Sequence, residues 1–347
     1  MKRHSKENNR VNKFRRDNYS RSPHSYRKSP YNHHNSFDEY DIFPDEYSTN
    51  YYSSPKFKPG EFTNIVLSGG STKCICQLGA LDYLIKKGFI NESKLNYLVG
   101  ASGGSVIAML MAVGYTVDSI WHIVRNMDVS SILGNDFPSG ILSMDKTYGI
   151  SDGTFFMKIL QSLVAYMLGG RINVSFKELY QLTGKRLVVI GSCLTTKQTI
   201  YFSESSSPDF DIVLAVRISV SIPIIFAPVV IDGMQYIDGA LTNPYPFNYF
   251  KLAGIKEQIK NTIGITIVDS CSTVNESLFG YITSIYNLFM DIYFRFEPLY
   301  NSRTISIEAD FGLASSLDFT ISLETKYKLF HYGNERARNF TEKQNNH

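Results

Sequence analysis

The chain has 347 residues, 43% of them hydrophobic, which is enough to bury the core of one large domain or two small ones. Its net charge of +3 hides an asymmetry: residues 1–36 carry ten Lys or Arg against two Asp or Glu, a local charge of +8 that leaves −5 on the remainder. Four cysteines, Cys74, Cys76, Cys193 and Cys271, show neither metal-ligand spacing nor a paired framework. That pattern excludes a disulfide scaffold, calls for no metal, and points to a reducing compartment in which Cys74 and Cys76 are small core residues.

Residues 1–58 are rich in Arg, Ser, Asn, His and Tyr and nearly free of Leu, Ile and Val, so they cannot offset the entropy of ordering. A disordered tail is expected there, basic to Ser36 and then acidic through Asp38, Glu39, Asp41, Asp45 and Glu46. No apolar stretch follows Met1, and the longest candidate span, Leu278 to Phe296, is interrupted by Asn287, Asp291 and Arg295. The sequence therefore predicts no signal peptide, no transmembrane helix and an intracellular protein, cytoplasmic or peripheral on membranes.

From residue 59 to 345 apolar strands and helices alternate, which predicts one α/β domain with a mostly parallel central sheet covered by helices on both faces. Thr63 to Leu67 reads as a buried strand, followed by the loop Ser68-Gly69-Gly70-Ser71-Thr72-Lys73 and a helix over Ile75 to Lys87. Leu95 to Val99 is the next strand, then a sharp turn, Gly100-Ala101-Ser102-Gly103-Gly104, then a run from Val106 to Val113 so apolar that it reads as a buried central helix. Later strands are predicted at Arg186–Ser192, Thr199–Phe202, Val229–Ile231, Gln235–Ile237 and Asn261–Val268.

The turn at Ser102 matches GxSxG in its meaningful context, between a strand and a helix, where a tight bend exposes the hydroxyl and the helix N-terminus faces developing negative charge. Gly100, Gly103 and Gly104 supply the room for that bend. A serine needs a base to become a nucleophile at neutral pH. Of seven histidines, four lie in the tail and His347 ends the chain; His122 and His331 both fall in helix-like stretches rather than on loops after strands, which disfavours a Ser-His-Asp triad. Aspartate is then the candidate. Asp238 directly follows a strand and precedes Gly239, whereas Asp232-Gly233 separates two apolar runs by a two-residue hairpin turn. A carboxylate is a weak base in water, so this role requires apolar surroundings, which Ile237, Ala240 and Leu241 supply.

Leu67 to Lys73, the turn around Ser102 and Asp238-Gly239-Ala240 occur in the order seen in patatin-like phospholipases, which the chain resembles over residues 62–340. Gln77-Leu78-Gly79-Ala80-Leu81, Tyr148-Gly149, Asp152-Gly153, Phe176 to Tyr180, Ser221-Ile222-Pro223 and Asn243-Pro244-Tyr245-Pro246 are also similar to that family. The resemblance implies a three-layer patatin-like fold and a lipid acyl hydrolase with no cofactor. Ser102 would be its nucleophile, Asp238 the sole partner in a dyad, and Gly69, Gly70 and Ser71 the oxyanion hole, with Lys73 and Gly239 in support. One motif departs: Ser71 and Cys74 stand where the family's loop has glycines. Backbone N–H groups survive such changes, but a side chain at positive φ costs about 1–2 kcal/mol, so the departure leaves open a weak or silent lipid-binding or scaffold protein on the same fold. Lys73 keeps the loop's basic position, with an ordinary solvated lysine as the other reading. The glycine spacing fits neither a P-loop nor a dinucleotide fingerprint. The expected partners are a lipid substrate and a membrane surface, reached through residues 1–36 and the aromatic segment 279–296. The tail's charge suits RNA or lipid phosphates alike, but no RNA-binding fold accompanies it, and nucleic acid is not expected.

Overall fold

The computed structural model describes residues 57–133, 144–268, 301–308 and 320–345, together with Tyr281, Ser284, Ile285 and Leu288. The strands are β1 (Asn64–Leu67), β2 (Tyr97–Ala101), β3 (Gly149–Ser151), β4 (Arg186–Cys193), β5 (Gln198–Ser203), β6 (Ile224–Phe226), β7 (Val229–Ile231), β8 (Met234–Asp238), β9 (Thr262–Val268) and β10 (Thr304–Glu308). Eight of them form the central sheet, in the order β10-β9-β1-β2-β4-β8-β7 with β5 paired to β4. From β10 to β4 all neighbours are parallel, while β5, β8 and β7 add antiparallel pairs. Strands β3 and β6 form a separate short parallel pair.

Parallel strands in such a sheet are buried on both faces, and alternation along them decides which layer each side chain joins. Ile65, Leu67, Leu98, Leu187 and Val189 enter the larger core beneath helices α1 (Ile75–Lys86), α2 (Gly103–Val113) and α3 (Val117–Asn126). Val66, Val99, Ala101, Val188 and Ile190 face the other way, onto Tyr245, Phe247, Tyr249 and Phe250. The second face is thus covered by an aromatic turn and the short helix Tyr249–Leu252. Helix α2 is the buried central helix its composition demands, ended by Gly114 in a left-handed C-cap. Helices α4 (Thr154–Met167), α5 (Phe176–Thr183) and α6 (Ile212–Ser219) complete the larger layer. The helix Leu323–Asn345 packs along α1, where a Cβ on Gly79 would lie 1.8 Å from the Phe330 carbonyl oxygen.

Most boundaries fall within two residues of those expected. The central helix starts three residues before its apolar run, at Gly103; β2 shifts by two at each end, beginning at Tyr97 because Asn91 caps a 3-10 turn over Glu92–Lys94 and running on through Ala101 because Gly100 and Ala101 pair with Val189 and Ile190. The Asp232-Gly233 turn is the expected hairpin: both residues have positive φ, and Ile231 pairs with Met234 across it. Residues 1–56 of the expected tail lie outside the described residues. Phe57 packs against Phe62, Phe89 and Phe340, so the folded body reaches back at least that far.

Candidate active site

Strand β4 sets the geometry. One of its edges is occupied by β5 along Val188–Cys193, so β2 and β8 must share the other. They arrive from opposite directions: β2 ends with Ala101 opposite Ile190, and β8 ends with Asp238 opposite Gly191, one rung further. The residues at the two strand ends therefore meet. Ser102 Oγ donates a 2.7 Å hydrogen bond to Asp238 Oδ2, and both side chains are buried. Asp238 Oδ1 accepts from the Ala240 N–H at 2.8 Å, which fixes the carboxylate plane. A Cβ on Gly239 would lie 2.0 Å from the Ile190 carbonyl oxygen, so only glycine lets β8 end this close to β4.

Ser102 has φ 47° and ψ −129°, a conformation that L residues avoid and that the surroundings over-determine. Its N–H donates to Ser219 Oγ at 2.9 Å, and its carbonyl accepts from the Ser105 N–H and hydroxyl. Gly104 lets α2 press onto β1, since a Cβ there would lie 2.4 Å from the Ser68 carbonyl oxygen. Gly100 packs in the same way against the Gly104 carbonyl.

The loop after β1 lies over the start of α2: a Cβ on Gly103 would come within 3.4 Å of the Ser71 nitrogen. Gly69 donates its N–H to the Pro244 carbonyl at 2.9 Å, so it is a strut of the loop, unlike the oxyanion donor expected of it. Among the described residues no acceptor takes the N–H of Gly70 or Ser71. Ser71 takes φ 48°, the left-handed conformation in which its side chain is a burden, whereas Cys74 takes φ −58° and has no need to be glycine. The Cys74 side chain fills the gap between Gly70 and Gly103. It is buried, and desolvation pushes its thiol well above the usual range, with further upward pushes from Cys76 and Asp238. Lys73 is buried rather than solvated, and its charge opposes part of the burial effect that raises the Cys76 thiol to about 12. Replacing Ser71 by glycine is expected to raise stability by about 1 kcal/mol by relieving the left-handed backbone. Thermal unfolding of Ser71→Gly beside Cys74→Gly checks this, the second variant being expected to lose stability from an opened cavity.

A cavity of about 160 Å³ leads away from Ser102, with Ser71, Thr72 and Gly103 at its head. Its walls are apolar, with Val106 and Leu110 from α2, Ile120 and Val124 from α3, and Leu160 and Leu163 from α4. His122 and His331 are exposed on α3 and on the C-terminal helix, engaged with Asn126 and Tyr327 respectively, and neither joins the Ser102 site. Among the described residues no group of three His, Cys, Asp or Glu is gathered to hold a metal ion.

The sequence matches the family model described as patatin-like phospholipase over residues 65–251, more than half of the chain. The chain belongs to the patatin-like phospholipase family. An uncharacterised protein of Acanthamoeba polyphaga mimivirus is 26% identical over 294 residues, spanning 81% of this chain and 94% of that protein. A protein of Invertebrate iridescent virus 6 named a probable lipid hydrolase is 29% identical over 242 residues, 67% of this chain and 78% of the relative. The crystal structure of VipD from Legionella pneumophila superimposes with a TM-score of 0.55 at 17% identity, over 84% of this chain and 68% of that one, a likeness of fold. Family and relatives together support lipid hydrolysis as the general activity.

Several of the patatin-like stretches acquire structural duties. Gln77 Nε2 holds the Ser68 carbonyl at 2.9 Å, Pro244 holds Gly69, and the Ser221 carbonyl accepts the Asp238 N–H at 3.0 Å. Ser219, which seats the Ser102 N–H, and Ser192, whose hydroxyl donates to the Asp238 carbonyl at 2.8 Å, carry no local motif. Their only signal is register: each stands beside the site near the end of a mostly apolar element.

Proposed function

We propose that this patatin-like protein is a serine lipid acyl hydrolase, cleaving carboxylic esters of phospholipids or acylglycerols through a Ser102–Asp238 dyad. The observation that carries this is the 2.7 Å hydrogen bond between the two side chains at the head of an apolar cavity. Asp238 takes the hydroxyl proton as Ser102 Oγ attacks the ester carbonyl, and the N–H groups of Gly70 and Ser71 receive the charge on the carbonyl oxygen. The same carboxyl then protonates the departing alcohol. Water enters and attacks the acyl carbonyl as Asp238 takes its proton, and the same carboxyl returns that proton to Ser102 Oγ as the bond to the acyl group breaks and the fatty acid leaves. The apolar walls suit a hydrocarbon chain, whose burial supplies binding energy along its length.

The test is incubation of the purified chain and its Ser102→Ala variant with mixed phospholipids and acylglycerols, with mass spectrometry of fatty acids and lyso-products, and with a fluorophosphonate probe. Release by the unmodified chain alone and labelling confined to Ser102 are expected. Lipid binding without release by either protein would select the silent scaffold that the Ser71 departure left open.

A further inference from the structure

Helix α4 carries large apolar side chains outward as well as inward. Its inner face is the cavity wall: Phe156, Leu160 and Val164 are buried, and Leu160 and Leu163 line the space leading from Ser102. A surface helix ordinarily turns polar side chains outward. Here the outer face carries Phe155, 47% exposed, and Tyr166, 81% exposed. Eleven residues are just over three helical turns, so these rings stand within about 20° of each other around the axis and about 16 Å apart along it. Lys158 and Ser162 are exposed between them, and exposed apolar residues continue at Tyr148 before the helix and Ile172 beyond it.

The charge on this stretch has one sign. From Gly153 to Lys177 the chain contains Lys158, Arg171 and Lys177 and no Asp or Glu. The carboxylates at its two limits serve helix starts: Asp152 accepts from the Thr154 N–H and hydroxyl, and Glu178 closes a capping box with Ser175. Apolar rings, a tyrosine and cations without carboxylates are what a lipid interface selects, with the rings in the headgroup region and the cations on anionic phosphates. A second copy of this chain fits less well, because a two-fold contact would set the same cations against each other with no opposing charge.

We propose that the outer face of α4 docks on an anionic bilayer surface, which sets the wall of the acyl cavity against the lipid phase. The proposal rests on the lipid-hydrolase reading for what the surface delivers, but not for the binding itself.

The full chain and a Phe155→Ser, Tyr166→Ser double variant are compared by flotation with vesicles of equal parts phosphatidylcholine and phosphatidylglycerol. Turnover of a soluble short-chain ester and circular dichroism are followed in parallel. The double variant is expected to lose vesicle binding about tenfold or more while turning over the soluble ester at about the original rate, and a Phe155→Leu, Tyr166→Phe variant to regain most of the binding. Unchanged flotation of the Ser variant overturns the proposal. So does a dimer in the unmodified chain that sedimentation shows the Ser variant to break, since the face then belongs to a second copy. If no protein cleaves the soluble ester and the Ser variant alone leaves the vesicles, the docking surface stands and the catalytic reading falls.

Discussion

Asp238→Asn is expected to lower ester hydrolysis by about a thousandfold or more, because an amide occupies the same volume but cannot accept the Ser102 proton. The side chain is completely buried and its hydroxyl partner lies at 2.7 Å, so the exchange leaves packing nearly unchanged while removing the proposed base. Ser102→Ala should lose a similar amount, and the double variant no more than either single one, since groups that act as a unit are not additive. Asp232→Asn is the matched control: that residue sits in the β7–β8 turn at φ 51°, which asparagine tolerates, and turnover should be kept. Initial rates on one soluble ester suffice to compare the four variants with the unmodified chain. A collapse in Asp232→Asn with turnover kept in Asp238→Asn would transfer the role of base to the turn.

Gly239→Ala should be nearly as damaging, by a different route. The new methyl would stand 2.0 Å from the Ile190 carbonyl oxygen and 2.5 Å from its carbon, and both are backbone atoms of the central strand with no freedom to rotate away. Relief requires β8 to withdraw from β4, and overpacking of this kind typically costs about 1–3 kcal/mol of stability. The end of β8 carries the carboxylate with it. Since a misplacement of about 1 Å in a reacting pair costs on the order of a hundredfold in rate, a folded Gly239→Ala protein with a lowered melting temperature should retain only about a hundredth of its turnover. Thermal denaturation and steady-state rates on the same sample check both halves. Wild-type rates in a protein of normal stability would mean that β4 and β8 separate without cost.

Ser102 and Asp238, which the structure brings together, were legible as a candidate pair because each announces itself locally. Ser102 sits in a glycine-flanked bend between a strand and a helix, and Asp238 ends a strand just before a glycine. The central helix was legible too, since Ala, Met, Val and Leu on every side leave it no polar face to expose. What the chain does with the backbone around those residues was not. That Gly69 is a strut depends on Pro244, 175 positions away and joined only by a carbonyl, for which no side chain gives notice. That Lys73 is buried depends on tertiary packing overriding an exposed residue's usual preference. The short strands β3 and β6 escaped because three residues each are too few to show a period, whereas the edge strand β10 does alternate, as Thr304-Ile305-Ser306-Ile307-Glu308, and its pattern could have been read. The membrane contacts expected at residues 1–36 and 279–296 fall outside the described residues, apart from Tyr281, Ser284, Ile285 and Leu288.

The head-to-head arrival of β2 and β8 on one edge of β4 has a consequence for assembly. The bend at Ser102 is spelled out by the glycines next to it, but Ser219, 117 residues on, seats its N–H, and its side-chain partner Asp238 lies 136 residues further along the chain. The rungs at Ile190 and Gly191 act as a ruler that measures off the two ends, whatever the length of chain looped out between them. Insertions and deletions between α2 and β4 can therefore reshape the cavity, whose α3 and α4 walls lie there, without altering the spacing of Ser102 and Asp238. The same arrangement makes the Ser102–Asp238 pair a long-range contact that forms only when the β7–β8 hairpin has closed onto the sheet, so any recovery of turnover during refolding is expected to follow that closure.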